Sequence, residues 1–183
     1  MHKKKEFVDN FSEMLVKLKI VNPKEAHAMK KDFHTRSKEN FDFFLLDEGL
    51  VTKDELLKAL SEYYKIPYFD VRGFEFDHDL VVNFPKEFLL ENLIIPSQVD
   101  QDMLTVVASQ PEAPGLEAAI RDYTSNDIVF LVGIGRDIID VIREFYDESP
   151  TYIHDLTDED EMETKEEREG VDVDQMIEDE EKW

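Results

Sequence analysis

A helix-turn-helix unit occurs twice in the first 65 residues, offset by 30 positions, and this duplication constrains the fold more than any other feature. Asn10-Phe11-x-x-x-Leu15 matches Asn40-Phe41-x-x-x-Leu45, and Ile20-Val21 matches Leu50-Val51. Asn22-Pro23-Lys24-Glu25 and Thr52-Lys53-Asp54-Glu55 coincide as helix starts. In each, a polar side chain can cap the helix while a glutamate three residues on reaches back to the capping residue's amide. Pro23 suits a first helical position, and Gly49 suits a left-handed helix end. The apolar residues recur at helical spacing: Phe7, Phe11, Met14, Leu15 and Leu18; Ala26, Met29 and Phe33; Phe41, Phe44, Leu45 and Leu46; then Leu56, Leu57, Leu60, Tyr63 and Tyr64. Two helical hairpins are expected over residues 1–66.

The pattern changes after Pro67. Tyr68–Val71 is a short extended run, and Pro85–Leu90 suggests a short helix. Leu93–Pro96 and Met103–Ala108 form a candidate hairpin joined through Gln98–Asp102. Gly115–Tyr123 has a helical apolar side, Ile128–Val132 is apolar throughout and is expected as a central strand, and Ile138–Tyr146 closes with a helix. The fold class is therefore α+β: tandem helical hairpins, then a small sheet packed with helices over residues 67–148. Residues 149–183 are expected to be a disordered acidic tail, because they are dense in like charge and poor in large apolar side chains. Val173, Met176, Ile177 and Trp183 could form a docking motif within it.

Charge bears on partners. The net charge is −23, spread unevenly: residues 1–40 hold 10 basic and 6 acidic side chains, whereas residues 147–183 hold 3 basic and 17 acidic. Such a field repels phosphate backbones and anionic lipid, so neither nucleic acid nor membrane insertion is expected, and a protein partner with a basic surface is favoured. The chain has no cysteine, which removes disulfides, thiolate zinc sites and cysteine nucleophiles. No apolar run approaches the roughly 18 residues of a membrane span. A cytoplasmic location is expected.

Motifs of chemistry are weak. His27 and His34 fall on the polar side of their helix, and Asp77-His78-Asp79 cannot close a tetrahedral metal site alone. Gly133-Ile134-Gly135 lacks the rest of a dinucleotide or phosphate-loop fingerprint and is better explained as a tight strand-to-helix turn. Asp158–Glu161 lacks the spacing of an EF-hand loop. No carboxylate is marked out by an apolar run that would perturb it. The helix from Lys53 to Tyr64 carries Asp54, Glu55 and Glu62 where a DNA-reading helix needs donors. No catalytic, cofactor-binding or metal-ligating residue is assigned, no cofactor is expected, and the chain is not expected to be an enzyme.

The stretch Phe43-Phe44-Leu45-Leu46-Asp47-Glu48-Gly49-Leu50-Val51-Thr52-Lys53-Asp54-Glu55-Leu56-Leu57, continuing to Tyr64-Lys65-Ile66-Pro67-Tyr68-Phe69-Asp70-Val71, resembles the N-terminal domain of type II secretion and type IV pilus assembly ATPases. Leu93–Pro96, Asp102–Pro111 and Ile138–Tyr146 are similar to the same domain's sheet portion, so the resemblance covers residues 7–147. In that family tandem helical motifs bind cyclic di-GMP through a pattern resembling Arg-Leu-Gly, then Leu, Gly and a helix ending in Gln. Here the arginine positions hold Asn10 and Asn40, the first glycine positions Ser12 and Asp42, the second Lys19 and Gly49, and the glutamine positions Phe33 and Tyr63. Asparagine cannot replace the charged fork of arginine, and Asp42 adds repulsion. Cyclic di-GMP is therefore not expected as a ligand. The resemblance implies a non-catalytic protein-interaction or regulatory module, with a divergent cyclic di-GMP sensor as the alternative.

Overall fold

A computed structural model of the chain describes residues 2–36 and 39–147. The expected tail and its docking motif, the 158–161 run and His154 lie outside them. Among the described residues are eight helices and three strands, an α+β arrangement.

The duplication is visible bond by bond. Helices α1 (His2–Lys17) and α2 (Pro23–Arg36) form the first unit, and α3 (Phe41–Asp47) and α4 (Lys53–Tyr64) the second. In each turn a left-handed residue stands at the same place, Lys19 at φ 59° and Gly49 at φ 63°. The Lys19 amide donates to Val16 O at 2.9 Å and the Gly49 amide to Leu46 O at 3.1 Å; Ile20 and Leu50 donate to Leu15 O and Leu45 O, each at 3.0 Å. Both capping boxes close. Glu25 Oε2 accepts from the Asn22 amide at 2.8 Å while Asn22 Oδ1 accepts from the Glu25 amide at 2.9 Å. Thr52 and Glu55 repeat the exchange at 2.8 and 3.2 Å. Each cap satisfies helix-end amides that would otherwise lack a partner.

The four helices enclose one apolar cluster that includes Phe11, Leu15, Met29, Phe33, Phe41, Leu45, Leu56 and Leu60, all buried. Aromatic rings interlock within it: Phe33 lies 5.0 Å from Phe41 and 5.4 Å from Phe44, both edge-on. Val8 and Ser12 are buried alongside the expected stripe of α1, and the Ser12 hydroxyl donates to Val8 O at 2.6 Å.

Beyond Tyr64 come α5 (His78–Val82), α6 (Lys86–Asn92), β1 (Ile94–Asp100), β2 (Met103–Ala108), α7 (Leu116–Arg121), β3 (Asp127–Val132) and α8 (Gly135–Asp147). Helix α5 has no counterpart in the sequence reading; Asp77 caps it by accepting from the Asp79 and Leu80 amides. Strands β1 and β2 pair antiparallel, with a register shift between Pro96 and Gln98. Strand β1 runs on to Asp100, so the connection is shorter than expected, and Gln101 takes a left-handed conformation there.

Strand β3 pairs parallel to β2, giving the order β1-β2-β3. The apolar strand expected at the centre is therefore at an edge, and β2 is central. Strand β3 is covered only at its end, where α4 packs against it and Val132 joins the cluster under the helical hairpins, while Val129 is exposed. The extended run at Tyr68 is no full strand. It contributes one parallel bridge, Tyr68 to Val132, secured by Phe69 N–H to Val132 O at 2.8 Å and Val132 N–H to Pro67 O at 3.0 Å. Gly133-Ile134-Gly135 is the tight strand-to-helix turn expected. A Cβ on Gly133 would lie 2.7 Å from Val107 Cγ1, and one on Gly135 would lie 3.0 Å from Phe43 Cε1. Only glycine permits this approach.

Candidate functional site

The turn after β3 delivers α8 against α3, and that contact fixes one wall of a cavity. Arg136 grips Asp47 through both guanidinium arms, the second at 2.7 Å, and its guanidinium lies 5.1 Å from the centre of the Phe43 ring. The hydrogen bond from Arg136 holds the Asp47 carboxyl below its ordinary range. A second set of charges ties the start of α4 to the same helix. Lys53 Nζ reaches Asp137 at 2.8 Å and Asp70 at 3.1 Å, while Arg72 reaches Asp137 at 3.4 Å and Asp140 at 2.6 Å. Burial lowers the Lys53 pKa, but the bonds to Asp137 and Asp70 outweigh it and leave the ammonium more firmly protonated than usual.

With α3 held this way, its first turn opens into a cavity of about 620 Å³. That volume lies within the roughly 300–1,000 Å³ typical of small-molecule sites. Four segments line it: Lys3, Lys4, Glu6 and Phe7 of α1; Asn40, Phe41 and Asp42 where α3 begins; Tyr63 and Tyr64 ending α4; and the loop Gln110, Glu112, Ala113 and Pro114. Phe7 stands 5.2 Å from Tyr63 at 81°, and the two tyrosine rings are 4.9 Å apart at 85°. The result is an aromatic wall beside two lysines. Lys4 is oriented by donating to Glu39 O at 2.9 Å.

Electrostatics single out Asp42. Burial pushes its carboxyl up to about 6, against the lowering effect of the Asp42, Phe43 and Gly135 backbone N–H groups and of the Arg136 charge. The expectation that no carboxylate is perturbed is thus wrong. Asp42 stands in the run Phe41-Asp42-Phe43-Phe44-Leu45-Leu46, and that apolar context was the available signal. Burial also raises the Tyr63 hydroxyl, opposed by a hydrogen bond with Asn10 and reinforced by Glu112 and Glu6. Tyr64 is raised further, again chiefly by burial, with Tyr63, Asp42 and Glu112 adding to it.

The motif positions divide into two groups. Asn40, Asp42 and Tyr63 line the cavity, and Asn10 joins them through Tyr63. Ser12 and Phe33 are buried in the helical core, and Lys19 and Gly49 serve the turns. Sequence reasoning missed Lys3, Lys4 and the Gln110–Pro114 loop, because nothing local tells that the first turn of α1 faces a loop more than 100 residues away. His27 and His34 are exposed as expected. Among the described residues no group of three or more His, Cys, Asp or Glu could hold a metal ion, and no helix is long and apolar enough to cross a membrane.

Known proteins are similar to this chain in sequence or in fold. The model of the MshEN domain matches residues 64–151. The type IV pilus assembly ATPase PilB of Myxococcus xanthus (strain DK1622) is 22% identical over 163 residues, covering 87% of this chain and 29% of that protein. The chain therefore spans less than a third of that relative's length. A solved structure described as "Structure of MshE with cdg" superposes with a TM-score of 0.60 at 17% identity, covering 74% of this chain and 98% of that one. The N-terminal domain of XpsE superposes at 0.50 with 19% identity, over 73% of this chain and 91% of that one.

The MshE match overturns the expectation that cyclic di-GMP does not bind, since that structure of the same fold is described with the nucleotide. The expectation rested on total charge and on two missing arginines. Lys3 and Lys4, which stand outside the motif positions, also line the cavity.

Proposed function

Because this chain is a divergent relative of the N-terminal domains of type II secretion and type IV pilus assembly ATPases, we propose that it is a non-catalytic regulatory module whose cavity between α1, α3 and α4 takes cyclic di-GMP. The observation that carries this reading is a coincidence of position. Asn40, Asp42 and Tyr63, which stand where the motif has its arginine, first glycine and glutamine, line one cavity. The duplicated hairpins are the scaffold that brings them together.

The chemistry of the lining supports a nucleotide. The rings of Phe7, Tyr63 and Tyr64 line the cavity and offer aromatic contact for a base, with Phe7 itself stacked on Phe11. Lys3 and Lys4 supply cationic donors for phosphate oxygens, as point charges in place of the arginine fork. The lining contains no histidine, serine, threonine or cysteine, hence no nucleophile paired with an imidazole base. The matched regions fall on N-terminal domains, which supports a role in sensing or docking over chemistry.

Calorimetric titration of the full chain with cyclic di-GMP tests the reading. Saturable binding that weakens in Lys3→Ala/Lys4→Ala supports it. No binding at ligand concentrations up to about 1 mM, a free energy weaker than about −4 kcal/mol, overturns it.

A further inference from the structure

We infer that Asp42 is the specificity-determining residue of this cavity and selects guanine over adenine by accepting hydrogen bonds from the base edge. The inference rests on the reading of the cavity as a cyclic dinucleotide site and adds which base it prefers and which side chain decides it.

Asp42 lines the cavity at the first turn of α3, where the motif has a glycine. A glycine at that place offers no side chain to a ligand, whereas a carboxylate is a fixed acceptor. The backbone N–H groups of Asp42, Phe43 and, at the start of α8, Gly135 lie near the carboxylate and favour its charged form. Those amides occupy part of the acceptor capacity. A carboxylate has about four lone-pair sites, so some remain for a ligand. Phe7 and Tyr63, packed edge to face, line the same cavity and give a planar base aromatic contact.

Guanine presents two adjacent donors on its Watson–Crick edge, N1–H and the N2 amino group. A carboxylate accepts from both at once. Adenine presents an N1 lone pair beside its N6 amino group. Opposite a carboxylate that lone pair meets another acceptor and stays unpaired, which a buried site strongly disfavours. A protonated Asp42 would reverse the pattern, because its O–H can donate to adenine N1 while the second oxygen accepts from N6. Base preference is therefore linked to the Asp42 proton. Burial already raises that carboxyl to about 6. The charged and titratable groups that act on it are Arg136 on α8 and Tyr64 on α4, and the same cavity is lined by Lys3, Lys4 and Glu6 on α1, Tyr63 on α4 and Glu112 on the loop.

The experiment titrates the full chain with cyclic di-GMP and with cyclic di-AMP at pH 7.5 and pH 5, in the wild type and in Asp42→Asn. At pH 7.5 the wild type should prefer cyclic di-GMP by about 10-fold or more, the size expected of one bidentate base contact. The ratio should shrink at pH 5, and in Asp42→Asn, whose amide donates and accepts as the protonated acid does, it should fall to unity or below at both pH values. The wild-type pH series needs no variant, so the test survives even if Asp42→Asn fails to fold. Equal binding of the two nucleotides by the wild type at pH 7.5, or a preference kept in Asp42→Asn, overturns the inference and leaves the proposed function standing. Binding of neither nucleotide overturns both.

Discussion

Replacing Asp42, half-buried on the cavity wall, with asparagine removes one titration while keeping the side chain's shape. The ordinary aspartate value is 3.8, and burial raises Asp42 to about 6. The folded state therefore holds this proton more tightly than the unfolded chain does. The stabilisation from that proton is fully present below 3.8 and is lost as pH rises through about 6. At about 1.4 kcal/mol per pKa unit, the whole effect is on the order of 3 kcal/mol, and about 1.3 kcal/mol of it is expressed between pH 5 and pH 7. The substituted amide is neutral throughout, so Asp42→Asn lacks this dependence. Urea unfolding of both proteins at pH 5, 6 and 7 isolates the effect, because the other carboxylates titrate alike in each and cancel. The stability of Asp42→Asn relative to wild type should rise by about 1.3 kcal/mol from pH 5 to pH 7, a relative midpoint shift of roughly 0.6 M for a typical urea slope. Parallel profiles, within about 0.3 kcal/mol across the range, would refute the claim that Asp42 is buried with a raised pKa.

Two further substitutions test the packing and the repeat. Gly133→Ala places a methyl 2.7 Å from Val107 Cγ1 and should cost about 1–3 kcal/mol in denaturant unfolding; a neutral result would mean the turn after β3 has room to relax. At the paired turn positions the signs should oppose: Lys19→Gly should stabilise and Gly49→Ala destabilise, each by about 1 kcal/mol, because both residues hold a left-handed backbone and no atom crowds a Cβ at Gly49. Changes of the same sign at the two positions would count against equivalent turns.

The helical hairpins were legible in the sequence because everything that forms them is local. Caps act over three residues and apolar stripes over four. The Asn22–Glu25 and Thr52–Glu55 boxes, the buried faces Ala26-Met29-Phe33 and Leu56-Leu57-Leu60, and the left-handed turn at Gly49 could all be read from spacing alone. The hairpin of β1 and β2 and the glycine turn before α8 were readable for the same reason. The place of β3 was not, since an apolar run does not tell which neighbours a strand has: only Val132 of it is buried, and Val129 is exposed. A sheet neighbour and a helix from the other end of the chain leave the same mark.

The cavity belongs to this second class. Its lining comes from the first turn of α1, the starts and ends of α3 and α4, and a loop after β2. No sequence window contains more than one of these segments together with the loop. The residue types were all in view, and Asp42 stands plainly at the motif's glycine position, but its meaning depends on burial and on the Gly135 amide across the fold. What the sequence determined by itself was the four helices of the tandem hairpins, their capping boxes and their duplication, through interactions spanning a few bonds along the chain. What only the tertiary structure decided was which carboxylate is desolvated, which lysines share its cavity and which rings close the wall. Desolvation and charge proximity act through space, and contacts such as Arg136 to Asp47 bring together residues that the sequence keeps far apart.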